Sequence, residues 1–215
     1  MKVVILCSSP EHPVNAYLQR WAEKHQTEHK VSIVRSKLQL EGGDILFLVS
    51  CHELLNQQER SAFGATLVLH ASDLPDGRGW SPHIWQILAG ADHIVVSLLE
   101  AADALDSGRI WKKVRLPVPK HALWDEIDHL IFSAEVELMD YALSAAGSVE
   151  PVEQSVANGT RYYRRRTPED SRLDPELPIA QQFDLLRICD PDRYPAFFEL
   201  HGHRYRLRLE KIDGA

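Results

Sequence analysis

Four short apolar runs, set among turn residues and stretches of helical spacing, constrain the fold of this chain more than any other feature. Lys2 to Leu6 is the first, and Lys30 to Val34 alternates like a second. Asp44 to Val49 (DILFLV) is stronger, and Thr66 to His70 is the fourth. Apolar runs of this length, bounded by turn residues, suit strands buried on both faces. Between the first two, Val14, Leu18, Trp21 and Ala22 recur at helical steps and mark one apolar stripe. Asn56 to Arg60 is a polar helix candidate. The alternation predicts an α/β protein, a doubly wound sheet that carries its ligands at the carboxyl ends of its strands.

Further along, Ser81-Pro82 offers a serine cap and a proline at the first helical position, and Gly90 a stop. His93 to Leu99 and Arg109 to Leu116 read as two more strands. The clearest helix spans His121 to Ala146, with Leu123, Ile127, Leu130, Ile131, Ala134, Leu138, Tyr141 and Ala142 at steps of three and four, and Gly147 to close it. Ser148 to Thr160 reads as a polar connector, Pro178 to Cys189 as a short helix, and Phe197 to Leu209 as a β-hairpin turning at His201-Gly202. We therefore expect a core over residues 1–150 and, over 151–215, a C-terminal extension of a short helix and a β-hairpin.

The 215 residues suffice for one α/β domain with a small appendage. A formal charge of −7 leaves no overall basic footprint for gripping nucleic acid, although Arg161 to Arg166 forms a local basic run. The first apolar run is too short for a signal-peptide core, and no stretch approaches the roughly 18 apolar residues of a membrane span. Cys7, Cys51 and Cys189 are few and widely spaced, which suggests neither a disulfide framework nor a zinc site. His201 and His203 have no third ligand in view, so no metal is expected. A cytoplasmic protein is expected.

The segment from Leu67 to Gly90, LVLHASDLPDGRGWSPHIWQILAG, carries the chemistry. A histidine, His70, leaves a strand end and enters a loop holding Pro75, Gly77 and Gly79, where backbone can approach a ligand closely. With His70, Ser72, Leu74, Pro75, Arg78, Gly79 and Pro82 in step, this loop resembles that of the formyltetrahydrofolate-dependent formyltransferases. Asp106, Ser107 and Gly108 match a second element of that family, and Arg165 to Asp174 followed by Tyr194-Pro195 match a third. The three lie in order across residues 44–209, and the match is specific in combination.

The resemblance implies a Rossmann-like formyltransferase fold and N10-formyltetrahydrofolate as co-substrate. It implies His70 and Asp106 as the catalytic pair, acting where an amine attacks the formyl carbon and an oxyanion develops. An imidazole's ordinary pKa lies near working pH, and a neighbouring acid can orient it and hold its proton. Ser50, Cys51, His52, Leu54 and Asp103 are implied at the folate. Ser72, Arg78, Gly79, Trp80, Arg165, Arg166 and Tyr194 are implied at the acceptor, the arginines against phosphate. From the residues alone, Ser72 and Arg78 serve equally as loop supports, Trp80 and Trp85 as packing residues, and the arginines as a solvated run. The family has asparagine where this chain has Val68. Ser50, Cys51, His52 and Asn56 are the polar residues expected near that gap.

For the acceptor, the variant H-x-S-D-L-P-x-G-x-G-W-S-P-x-x-W-Q-I-L resembles formyltransferases of pseudaminic-acid-type sugar pathways, which implies a UDP-linked 4-amino-4,6-dideoxy sugar. The tRNA-modifying members carry an additional C-terminal domain, and on length and charge no nucleic-acid partner is expected. The tail hairpin, apolar on one face and basic on the other, suggests a homodimer contact. A formyltetrahydrofolate hydrolase and a non-catalytic ligand-binding relative remain as alternatives, the latter because of Val68.

Overall fold

The computed structural model describes residues 1–155 and 160–212; residues 156–159, inside the expected connector, lie outside the described residues. The chain runs β1 (Lys2–Leu6), α1 (Asn15–His25), β2 (Lys30–Val34), β3 (Gly43–Leu48), α2 (Gln57–Ser61), β4 (Phe63–His70), β5 (Arg78–Gly79), α3 (Pro82–Leu88), β6 (His93–Glu100), β7 (Ile110–Pro117), α4 (Trp124–Ala145), β8 (Tyr162–Tyr163), α5 (Phe183–Arg187), β9 (Ala196–Leu200) and β10 (His203–Leu207). Six strands form the central sheet in the order β2-β1-β3-β4-β6-β7. The first four are parallel, whereas β6 runs antiparallel to β4 and β7 antiparallel to β6. The chain leaves β1 toward β2 on one side and returns to β3 on the other, so the order reverses beside β1, where open α/β sheets leave a crevice for ligands.

The two-residue period of a strand explains why the apolar runs are continuous. Val3, Ile5, Ile45 and Phe47 pack into a cluster with Leu18 and Trp21 of α1 and Ile127, Ile131 and Leu138 of α4. The alternate residues Val4, Leu6, Leu46 and Leu48 pack on the other face with Leu55 and Phe63. A strand covered on both faces must be apolar at every position. Each fully buried aliphatic side chain stabilises the fold by about 1.5–3 kcal/mol relative to exposure, so these two clusters fix the sheet and with it the strand ends.

Several local expectations are corrected. Ser81 does not cap α3: it sits in the left-handed region at φ 44°, and its side chain accepts no capping bond, while Pro82 does take the first helical position. The segment expected as one helix over Pro178–Cys189 divides into a 3-10 turn at Ile179–Gln181 and α5, because Gln182 turns back to bond Asp174 and Leu177. The tail hairpin forms as expected, with His201 and Gly202 both at positive φ, as a tight hairpin turn requires.

After α4 the chain folds back on the core. Val152 bridges Ile110, and β8 pairs in parallel with β5. That return strap brings the basic run beside the loop that follows His70. Among the described residues, no helix is long and apolar enough to cross a membrane.

Candidate active site

His70 ends β4, and the loop between β6 and β7 carries Asp106 back to it. The imidazole Nδ1 lies 3.6 Å from Asp106 Oδ1, an ion-pair separation too long for a direct hydrogen bond. On the other side of the ring, Nε2 donates to the carbonyl of Gly77 at 2.9 Å. A carbonyl only accepts, so the Nε2 proton is fixed and Nδ1 is the position open to a second proton. Asp106 Oδ1 then waits for that proton, while its Oδ2 accepts the N–H of Gly79 at 2.9 Å. Both side chains are buried and both line one cleft.

The Asp106 loop is built for this placement. Asp106 adopts φ 53°, a left-handed conformation that aspartate tolerates better than most residues. The side-chain amide of Gln154 donates to the carbonyls of Asp106 at 2.9 Å and Gly108 at 2.8 Å, while its oxygen accepts from Arg78 at 3.1 Å. At Gly108 a Cβ would stand 1.8 Å from the carbonyl oxygen of Glu100, so only glycine permits the close approach of the loop to β6. At Gly79, which lies at φ 96°, a Cβ would meet the Tyr163 carbonyl at 2.3 Å; the contact between loop and strap demands glycine there too.

The cleft has a volume of about 640 Å³ and is walled by the segments that follow β1, β3, β4 and β6, by α4, and by the strap and C-terminal segment. Of the residues expected at the folate, Ser50, Cys51, His52, Leu54 and Asp103 all line it. Leu54 and Leu105, 69% and 40% exposed, stand on its wall as uncovered apolar surface that suits a flat aromatic ligand. Asp103 is also ion-paired with Arg60 at 2.5 Å.

Among the residues expected at the acceptor, Gly79, Trp80, Arg165, Arg166 and Tyr194 line the cleft, and Ser72 and Arg78 do not. Ser72 is fully buried beneath the loop, its carbonyl accepting from Ser97 Oγ at 2.7 Å. Arg78 is turned toward Gln154. Both hold the loop rather than face its ligand.

The basic run divides in the same way. Arg161 pairs with Asp76 and Arg164 with Asp170, and Arg164 also lies 4.7 Å from the Trp85 ring. Arg165 faces the Trp80 ring at 5.0 Å, and Trp80 contacts His52 at 5.1 Å. Arg166, 8% exposed, donates to Ser171 at 2.7 Å and lies 5.1 Å from the Tyr194 ring, while its Nε has no partner among the described residues.

Val68 lines the cleft as well. Asn56, expected near it, instead caps α2 by accepting from Glu59 N–H at 2.9 Å. Sequence reasoning missed His12, His83, Asp128, Glu135, Asp190 and Arg193, all on the cleft wall. His12 Nδ1 accepts the N–H of Val14 at 3.3 Å, and burial drives its pKa down to about 4. Burial takes His83 lower still, to about 3, with the neighbouring His70, His12 and Arg166 adding to the effect. The signal for Asp128 and Glu135 was present in the text: two acids interrupt the apolar stripe of the clearest helix.

Strand order, the His70 loop and the cleft define the architecture as the formyltransferase α/β fold. The solved structures that share it are distant in sequence. Methionyl-tRNA formyltransferase from Clostridium thermocellum superposes with a TM-score of 0.81 at 20% identity, over 100% of this chain and 95% of that one. A sugar N-formyltransferase from a Shewanella species matches at 0.71 and 14% identity, over 99% of each chain. HypX from Aquifex aeolicus, in complex with tetrahydrofolic acid, matches at 0.71 and 20% identity over 95% of this chain but 36% of that one. No family model matches the chain.

Proposed function

We propose that the protein transfers a formyl group from N10-formyltetrahydrofolate to the amine of a nucleotide-linked amino sugar. The observation that carries this reading is one cleft holding a buried His70–Asp106 pair beside Arg165, Arg166 and Arg193, none of which forms an ion pair with an acid among the described residues. An imidazole with one open nitrogen suits proton movement, and guanidinium groups with no acid within ion-pair distance among the described residues suit the phosphates of a nucleotide. The folate supplies an activated formyl carbon. His70 takes the proton of the attacking amine on Nδ1, Asp106 holds the ring in its charged form, and His70 returns the proton to the leaving nitrogen. Ser50 to Leu54 and Asp103 bind the carrier.

The acceptor is a UDP-linked 4-amino-4,6-dideoxy sugar of the pseudaminic-acid type, formylated at its amine in the cytoplasm by a homodimer. The fold shared with a sugar N-formyltransferase supports a sugar amine as the acceptor. Incubating amino-sugar nucleotides with the donor and reading them by mass spectrometry tests it: one member should gain a single formyl unit. Formate release without any acceptor would replace this reading by a hydrolase, and donor binding without turnover by a ligand-binding relative. Light scattering that shows a monomer would remove the homodimer.

A further inference from the structure

The α4 wall of the cleft presents Trp124, Ile127, Asp128, Ile131, Phe132 and Glu135, the steps of three and four that make one helical stripe. Four of these are apolar and two are acids. Glu135 is 5% exposed, and its Oε2 is buried with no hydrogen-bond partner among the described residues. Asp128, two turns earlier, is half-buried and makes no hydrogen bond or ion pair among the described residues, although the Arg193 charge acts on it. Leaving an acceptor buried and unpartnered costs about 1–3 kcal/mol, and a hydrophobic residue in this stripe would avoid that cost. The pair is therefore placed to meet a hydrogen-bond donor that the protein itself does not supply.

The charges around the pair define what the donor is. Burial, with repulsion from Asp128 adding to it, pushes Glu135 up to about 8. Burial, with Asp190 and Asp125 adding to it and Arg193 opposing, pushes Asp128 up to about 7. Just beyond β1, the Cys7 thiol is electrostatically coupled to Glu135, and His12 shares the wall as a neutral ring. Near neutrality such acids give up protons readily when a cation arrives and take them back when it leaves. A neutral hydroxyl would gain little from that exchange; an amine gains most.

We propose that Asp128 and Glu135 dock the primary amine of the acceptor, receive it as its ammonium ion, and take from it the proton it must lose before it can attack. This rests on the formyl-transfer reading. The step balances as an ammonium and a carboxylate giving a free amine and a carboxylic acid, with no other bond changed. Arg165, Arg166 and Arg193 hold the acceptor's anionic part while these acids hold its amine, so the cleft selects a molecule that carries both.

The test uses the full chain and two probes, free 4-amino-4,6-dideoxyglucose and its N-acetyl derivative, titrated by NMR into wild type, Asp128→Asn and Glu135→Gln. Wild type should bind the amine at least about tenfold more tightly than the amide, the scale of a charge-assisted hydrogen bond. Either variant should lose that preference. A wild type without the preference, or a preference kept in both variants, overturns the proposal. Formyl transfer is measured separately. Amine preference without transfer refutes the transfer reading alone, and transfer without amine preference refutes the docking alone.

Discussion

The two sides of the cleft differ in how their polar groups are satisfied. The His70 and Asp106 side chains are held by backbone groups, Nε2 by the Gly77 carbonyl and Oδ2 by the Gly79 N–H, although Ser72 Oγ and Arg78 Nε in the same loop have no partner among the described residues. Along α4 and the strap, Glu135 and Arg166 keep buried polar atoms with no partner among the described residues, as does His83 at the start of α3. Side chains anchored in this way are held in place, which is what a reaction centre needs. Unengaged buried groups cost stability unless a ligand completes them. One side fixes geometry and the other awaits chemistry from outside, so substitutions on the two sides should fail in different ways.

The largest effect belongs to the engaged side. His70→Ala should lower turnover by roughly a thousandfold or more, and Asp106→Asn by roughly a hundredfold, with acceptor affinity and circular dichroism little changed. Near-normal turnover in both would break the contrast. Gly108→Ala should act through position alone: its Cβ would overlap the Glu100 carbonyl, costing about 1–3 kcal/mol of stability and moving Asp106 away from His70. A combined fall in melting temperature and turnover, with no change in the chemistry-bearing side chains, would sharpen the point that the loop's register is the catalytic asset.

Much of the engaged side could be read from the text, and most of the open side could not. His70 announces itself because a histidine at a strand end followed by a Gly-Pro loop is a local pattern. Asp106 follows from Asp-Ser-Gly. Gln154 carries no such mark, since its role is set by which loop the chain returns beside after α4. The antiparallel β6–β7 pair was visible as two strands, but not as a reversal of direction, because apolar periodicity carries no sense along the chain. Four arginines in six residues read as one basic run, yet the strap pairs Arg161 and Arg164 with acids and turns Arg165 and Arg166 to the cleft. Only tertiary placement makes that division.

That division gives the next comparison. Arg166→Gln should weaken a UDP-linked acceptor by roughly ten- to a hundredfold, as expected for a buried guanidinium meeting phosphate. Arg164→Gln, exposed and already paired with Asp170, should change affinity by no more than about threefold. Isothermal titration with UDP alone reads both, and equal losses would show the basic run acting only as a diffuse field.

The last contrast concerns the unliganded fold, and its sign can be worked out. Glu135 keeps its proton in the folded state up to about 8, whereas an unfolded glutamate loses it near ~4.3. Between those values the folded state binds the extra proton, so the contribution of Glu135 to stability falls as pH rises and is fully lost once pH passes the folded value. Asp128 acts in the same sense up to about 7. His12 and His83, driven down to about 4 and 3, act oppositely: protons favour the unfolded chain as pH drops below the ordinary histidine range. The wild-type curve mixes all four, but the difference between wild type and Glu135→Gln isolates one. Gln cannot ionise, so the variant's melting temperature relative to wild type should rise from pH 4 to pH 8 and then level off, by roughly 2–4 °C for each kcal/mol recovered. A difference that stays flat across that range would mean the Glu135 carboxyl is already satisfied in the free protein, and the contrast between the two sides of the cleft would close.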